Sequence, residues 1–293
     1  PYPTVITGQT KLLGVIGHPI AHTLSPLMHN AAIADLGLDY VYLPLPVRPE
    51  DLELALRGFV AIGVEGFSIT IPHKQAIVPL LNEVTEVAQA IGAVNTVWRT
   101  ETGWSGTNTD VVGFVSPLQE LQQDWHPTIA VILGTGGAAR AAVAGCAQLG
   151  CAEIHVIGRD AHKLETFRQS WQQSSLRPNL FTRTWDRLPD LLQYTNLLVN
   201  TTPIGMYPDV DRSPLSAAEM EVMMPDAIAY DLIYTPSPTL FLKQAKALEL
   251  EAIDGSEMLV QQGAAALQLW LQRPVPVDVM RQALQQYLWE QGK

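Results

Sequence analysis

The sequence predicts an α/β protein of two domains. Apolar, β-branched runs alternate with small-residue helical stretches from end to end, the pattern of parallel strands joined by crossover helices. At 293 residues the chain exceeds the usual ceiling for one core and suits two domains of ordinary size. A glycine-rich turn between strand and helix, I-A-V-I-L-G-T-G-G-A-A-R-A (Ile129 to Ala141), opens the second half. Lys74, closing G-F-S-I-T-I-P-H-K, and Asp110, closing W-S-G-T-N-T-D, put an amine and a carboxylate at strand ends upstream of it.

In order, Leu12 to Ile16 reads as a buried strand, and Ser25 to Leu36 as a helix with Pro26 in its first turn. Tyr40 to Pro46 is a strand, Leu52 to Ile62 an amphipathic helix closed by Gly63, and Gly66 to Ile71 a strand stopped by Pro72. Val84 to Ile91 reads as helix, Val94 to Arg99 with Gly103 to Ser105 as a hairpin, and Gly113 to Leu121 as a connecting helix. The second half gives a strand at Ile129 to Leu133, a helix at Ala138 to Leu149, a strand at Glu153 to Ile157 and a helix at Ala161 to Gln173. Strands at Leu197 to Asn200 and Ala227 to Leu232, and a helix at Pro238 to Leu248, follow. From Gly255 onward M-L-V-Q-Q-G-A-A-A-L-Q-L-W has strong helical periodicity, and no internal repeat is present.

Charged residues make up 16%, and 29 acids against 18 bases leave a net charge of −11. That balance disfavours nucleic acid and anionic membranes, which need a cationic surface, but leaves room for an anionic small molecule held by a local Lys or Arg. Cys146 and Cys151 suit buried free thiols in a reducing compartment. With no run of membrane-spanning length and no leader pattern in P-Y-P-T-V-I-T-G, the expected location is cytoplasmic. His18 and His22 stand four apart across Pro19 without a third ligand, so no metal is expected.

The glycine turn carries the first chemistry. Gly134, Gly136 and Gly137 allow a tight turn, close backbone approach and free N–H groups at a helix start, which together suit a dinucleotide pyrophosphate; Ala139 sits where the third glycine of the commoner fingerprint would be. Cofactor choice is read at the end of the next strand, Gly158-Arg159-Asp160 with Lys163 one turn on. The two bases favour the extra phosphate of NADP, whereas Asp160 either caps the next helix or contacts a ribose and permits NAD. Around Lys74 and Asp110, the polar groups of Thr70, Asn95, Thr107 and Asn108 fall at strand ends or loops, the edge where open α/β sheets bind ligands.

The segments L-L-G-V-I-G-H-P-I-A-H-T-L-S-P-L-M-H-N, S-I-T-I-P-H-K, I-G-A-V-N-T, G-T-N-T-D, N-T-T-P-I-G-M, Y-D-L-I-Y and D-G-S-E-M-L-V-Q-Q-G, in this order, resemble shikimate dehydrogenase, from about Leu12 to Trp270. The resemblance implies reduction of 3-dehydroshikimate to shikimate with NADPH in aromatic amino-acid biosynthesis. It implies an N-terminal substrate domain (1–111), a Rossmann-type doubly wound NADP domain (112–254) and C-terminal helices (255–293) returning to the first domain. It puts the catalytic pair on Lys74 and Asp110, and substrate contacts on Thr23 and Ser25 (for the carboxylate), Thr70, Asn95, Tyr234 and Gln262. Cofactor contacts fall on Gly134, Thr135, Gly136, Gly137, Ala138, Arg159, Lys163, Leu232, Gly255 and Glu86. The expected partner is the small-molecule substrate, in a monomer or homodimer.

The chain departs from the family pattern at Thr23 (usually Ser), Ser68 (commonly Asn) and G-R-D-x-x-K (often N-R-T). A quinate or dual dehydrogenase using NAD therefore stays open beside the NADP-dependent enzyme. A non-enzymatic metabolite sensor is a third reading, disfavoured because a sensor has no need of both Lys74 and Asp110.

Overall fold

The structure, a computed structural model, describes residues 5–291. The chain folds into two compact units, one running to Asp110 and resuming at Val260, the other spanning Val111–Leu259.

The first unit is built on β1 (Lys11–Gly17), α1 (Ser25–Asp35), β2 (Tyr40–Pro46), α2 (Leu52–Ala61), β3 (Val64–Ile69), α3 (His73–Ala76), β4 (Glu83–Val84), α4 (Glu86–Ile91), β5 (Thr96–Thr100) and β6 (Gly103–Thr107). Its six-stranded sheet runs β2-β1-β3-β5-β6-β4. β1 pairs parallel with both β2 and β3, while β3, β5 and β6 pair antiparallel as the expected hairpin joins the sheet. The chain leaves β1 for β2 on one side and returns to β3 on the other, so the strand ends at Gly17 and Ile69 flank a topological switch point, where such sheets hold ligands. Phe67, Trp104, Val97 and Ile16 fill the core on one side.

α5 (Asp110–Gln119) carries the chain into the second unit, made of β7 (Ile129–Leu133), α6 (Gly137–Leu149), β8 (Glu153–Gly158), α7 (Ala161–Ser170), β9 (Leu180–Thr184), α8 (Leu188–Leu192), β10 (Leu197–Asn200), α9 (Ala217–Met220), β11 (Ile228–Asp231), α10 (Leu240–Ala247) and β12 (Glu251–Ile253). The sheet order is β12-β11-β10-β7-β8-β9, parallel at every pairing. Read from β9, this is the doubly wound dinucleotide-binding order, with its switch point between β7 and β10. α6 lies deep, with Ala139, Ala141, Ala142 and Ala144 fully buried, because small side chains let its backbone approach the sheet. α11 (Ser256–Leu271) and α12 (Val277–Gln291) end the chain. In the first unit Trp270 Nε1 donates to Val97 O at 2.9 Å, and the Cβ position of Gly263 lies 3.4 Å from His29 of α1, so the returning helices pack on the first sheet and α1.

Several boundaries differ from the sequence expectation. The helix expected from Val84 starts at Glu86, since Val84 pairs with Gly106 and Thr85 Oγ1 caps the first turn by accepting from Ala88 N. The strand expected at Gly66 to Ile71 begins at Val64, where it meets Leu12 of β1, and ends at Ile69. The helix after β8 stops at Ser170 rather than Gln173, as Trp171 N–H turns back to Arg168 O. β9 and β12 carry no apolar run and escaped notice: β9 alternates between half-buried and exposed positions at the sheet edge, and β12 has three residues.

Candidate active site

Lys74 enters the site because β3 ends at Ile69 and the chain turns into α3. The turn is fixed from both sides: His73 N–H donates to Thr70 O at 3.1 Å, and His73 Nε2, facing a carbonyl, donates to Val47 O at 2.6 Å. Asp110 opens α5, its N–H held by Asn108 Oδ1 at 2.9 Å. Lys74 Nζ donates to Asp110 Oδ2 at 2.7 Å, the two side chains 17% and 7% exposed. Asn95 Nδ2 donates to Asp110 Oδ1 at 3.1 Å and lies 3.4 Å from Gln262 Oε1. Thr109 closes the network, its N–H donating to Asn95 Oδ1 at 2.7 Å and its hydroxyl to Gln262 O at 3.0 Å. Lys74, Asp110, Asn95 and Gln262 thus meet in one cluster, an ammonium paired with a carboxylate and shielded from bulk water.

Thr23 and Ser25 lie at the start of α1, with Ser25 N–H directed to Thr23 Oγ1 at 3.4 Å. Behind them Tyr42 Oη donates to Ser68 Oγ at 2.8 Å, while burial pushes the phenol far above its usual range, so Tyr42 stays neutral. Thr70 follows β3, its N–H donating to Ile16 O at 2.9 Å, against Gly17, where a Cβ would strike the Thr70 methyl. Among the described residues no group of three or more His, Cys, Asp or Glu side chains could hold a metal.

In the second unit, β7 runs into Gly134, whose φ of +114° suits glycine and whose added Cβ would lie 2.5 Å from Thr201 Oγ1. Gly136 caps α6, and open space surrounds its Cβ position. The first turn of α6, with Gly137 and Ala138, carries no acidic side chain, leaving its N–H groups and the helix dipole for an anion. Beside it a depression of about 210 Å³ is lined by Gly134, Thr135, Gly158, Arg159, Asp160, Lys163 and Trp185 among others. Asp160 Oδ1 accepts from His162 N at 2.9 Å and Lys163 N at 3.0 Å, so its carboxyl caps α7; these bonds, that from Lys163 foremost, hold it below the usual carboxylate range. Arg159 and Lys163 are the cations at this rim, and the cradle fits a phosphorylated dinucleotide.

Leu232 and Gly255 touch: a Cβ on Gly255 would collide with Leu232 O, and Gly255 N–H donates to Ile233 O at 3.1 Å. Their loop is anchored by buried Asp231, which accepts from Thr239 Oγ1 at 2.7 Å and Asn200 Nδ2 at 3.2 Å. Tyr234 follows in the same unit, half-buried. Glu86 is exposed at the start of α4, on the first unit, whereas the other cofactor candidates belong to the second.

Residues 15–97 match the family model for the shikimate dehydrogenase substrate binding domain, and 255–285 that for the shikimate 5'-dehydrogenase C-terminal domain. The chain is 64% identical over 286 residues to the shikimate dehydrogenase (NADP(+)) of Trichormus variabilis, covering 97% of this chain and 99% of the relative. The chain belongs to the shikimate dehydrogenase family. A solved shikimate dehydrogenase in complex with NADP+ superposes with a TM-score of 0.89 at 36% identity, over 98% of this chain and 99% of that one. The shikimate 5-dehydrogenase of Thermus thermophilus, in complex with NADP(H) and shikimate, gives 0.83 at 33%, over 94% and 99%.

For a shikimate dehydrogenase family member, sequence reasoning passed over three residues at these sites. Thr109 was hidden between two noted neighbours. Tyr42 lies inside an ordinary strand pattern, and only its distance to Ser68 marks it. Trp185 follows an edge strand, Leu180–Thr184, that no element expected from the sequence covers; an aromatic at the C-terminal end of a parallel strand was the available signal.

Proposed function

We propose that the chain is an NADP-dependent shikimate dehydrogenase that interconverts 3-dehydroshikimate and shikimate. The observation that carries this reading is the shielded Lys74–Asp110 pair, 2.7 Å apart, bridged by Asn95 to Gln262. When bound, the nicotinamide cofactor supplies the hydride. Reduction of a ketone builds negative charge on its oxygen, and Lys74 Nζ stabilises that charge and delivers the proton. Asp110 keeps the ammonium oriented; in the reverse direction the pair accepts the alcohol proton. Thr23 and Ser25 offer hydroxyls to the substrate carboxylate, Thr70 and Asn95 bind the ring hydroxyls, and Tyr234 is also assigned to the substrate. Gly134 to Ala138, Leu232 and Gly255 are assigned to the cofactor backbone, Arg159 and Lys163 to its 2′-phosphate, and Glu86 to the cofactor side. The engagement of Asp160 as a helix cap supports NADP over NAD. The free, buried Cys146 and Cys151 fit a reducing compartment such as the cytoplasm.

A panel of shikimate and quinate against NADP+ and NAD+ tests the reading, with shikimate plus NADP+ expected to give the highest kcat/KM. Lys74→Ala should lower kcat by about 10² or more with a smaller change in KM. Near-normal turnover in that variant removes Lys74 from the chemistry, and equal efficiency with quinate or NAD+ removes the substrate or cofactor assignment.

A further inference from the structure

The rim of the cofactor depression holds a side chain that the proposed function does not use. β8 and β9 pair in parallel with Gly158 opposite Thr184, so the next residue of each strand, Arg159 and Trp185, leaves the sheet side by side. The Arg159 guanidinium lies over the Trp185 ring, 5.7 Å from its centroid, and both residues line the depression with Lys163. Arg159 is exposed and makes no ion pair among the described residues, so no carboxylate orients it. Trp185 itself is half-buried and packs against the core of the second unit, which fixes its plane.

We infer that Trp185 is a specificity-determining positioning residue: its indole face holds the Arg159 guanidinium at the depression before the cofactor arrives, and so tightens binding of a ribose carrying a 2′-phosphate over one that does not. The physical basis is twofold. A cation over an indole face is attracted by the ring quadrupole, more strongly when binding strips away water. A long side chain already held in place also loses less rotamer freedom when it captures its anion. An acid in that position would instead turn Arg159 away by pairing with it. The inference rests on the NADP reading above, and acts through Arg159 rather than by any step of the reaction.

The test is calorimetric titration of NADP+ and NAD+, without substrate, into wild type, Trp185→Phe, Trp185→Leu and Trp185→Met. The Met variant keeps apolar packing if Leu proves unstable. Loss of the π face should weaken NADP+ about 3- to 10-fold, leave NAD+ within about twofold, and be rescued by Phe. In an Arg159→Ala background, Trp185→Leu or Trp185→Met should produce no further change in the NADP+/NAD+ ratio. An unchanged ratio in the Leu and Met variants, equal losses for both cofactors, or the same loss persisting without Arg159 overturns the role of Trp185 alone. Wild type with no preference for NADP+ overturns the cofactor reading and the inference with it.

Discussion

His29 shows how one buried side chain makes stability depend on pH. It stacks on Tyr42 with centroids 4.1 Å apart, and neither ring nitrogen has a hydrogen-bond partner. Burial lowers its pKa from 6.5 to about 3, so the folded protein keeps it neutral while the unfolded chain protonates it. Its contribution is therefore complete above pH 6.5 and is lost as pH falls toward 3, at about 1.4 kcal/mol per unit. His29→Phe keeps the stack and removes the proton; between pH 7 and 5 it should lose about 2 kcal/mol less than wild type in urea unfolding. Parallel losses would assign the acid sensitivity elsewhere. Asp231 works with the opposite sign: burial raises it to about 6, so the folded state holds a proton that the unfolded chain releases near 3.8, and stability falls as pH rises through that window. The wild-type advantage over Asp231→Asn should shrink by about 2–3 kcal/mol from pH 4 to 7. A gap that widens with pH would contradict the burial argument.

At the scale of elements, the turn from β7 to α6 combines backbone freedom with close packing. Gly134 needs a positive φ of +114°, and Thr201, whose hydroxyl donates to Leu133 O at 2.6 Å, occupies the space a side chain would enter. Gly134→Ala therefore meets both strain and a clash, expected to destabilise the second unit by about 1–3 kcal/mol and to weaken NADP+ about tenfold or more. Gly136→Ala at the neighbouring position meets open space in the free protein, so its stability should change little while its cofactor affinity falls. Thermal melts and titration of both variants separate the two effects. Equal stability losses would mean that the glycines serve packing alone. On the other face of α6, buried Arg140 lies 5.1 Å from the ring centroids of Phe167 and Trp171 and donates to Ser170 Oγ at 2.9 Å, and burial lowers it to about 10. The arginine of the glycine motif thus packs against α7 rather than serving as a phosphate ligand.

For the whole molecule, the candidate substrate residues fall on the first unit and the candidate cofactor residues on the second, Tyr234 and Glu86 excepted, and this predicts a pattern of protection. NADP+ at a hundredfold excess over its Kd adds about 2.7 kcal/mol to the stability of whatever it binds. In hydrogen exchange, NADP+ alone should protect amides at 134–139 and 158–163, and shikimate alone those at 70–74 and 107–110. The reverse pattern would break the division of labour. With a net charge of −11, the local field for an anion has to come from individual cations, and those at the candidate sites are Lys74 in one unit and Arg159 with Lys163 in the other.

Strand and helix identity was legible in the sequence wherever burial imposes a continuous apolar or small-residue run, as at Leu12 to Ile16, Ile129 to Leu133 and the Ala-rich α6. The glycine turn was legible because few residues other than glycine accept its backbone, and Lys74 and Asp110 because their motifs are contiguous. The tertiary structure alone decided the rest. It brought Lys74 to Asp110, 36 residues away, and Asn95 to Gln262, 167 away, since strand order and the returning helix set those distances and no local pattern encodes them. It tied Asp160 to the start of α7, a choice that composition left open because a carboxylate can cap a helix or grip a ribose and only geometry distinguishes the two. It revealed β9, and with it Trp185 beside Arg159, because an edge strand is defined by its hydrogen bonds to a neighbour rather than by the polarity of its own side chains.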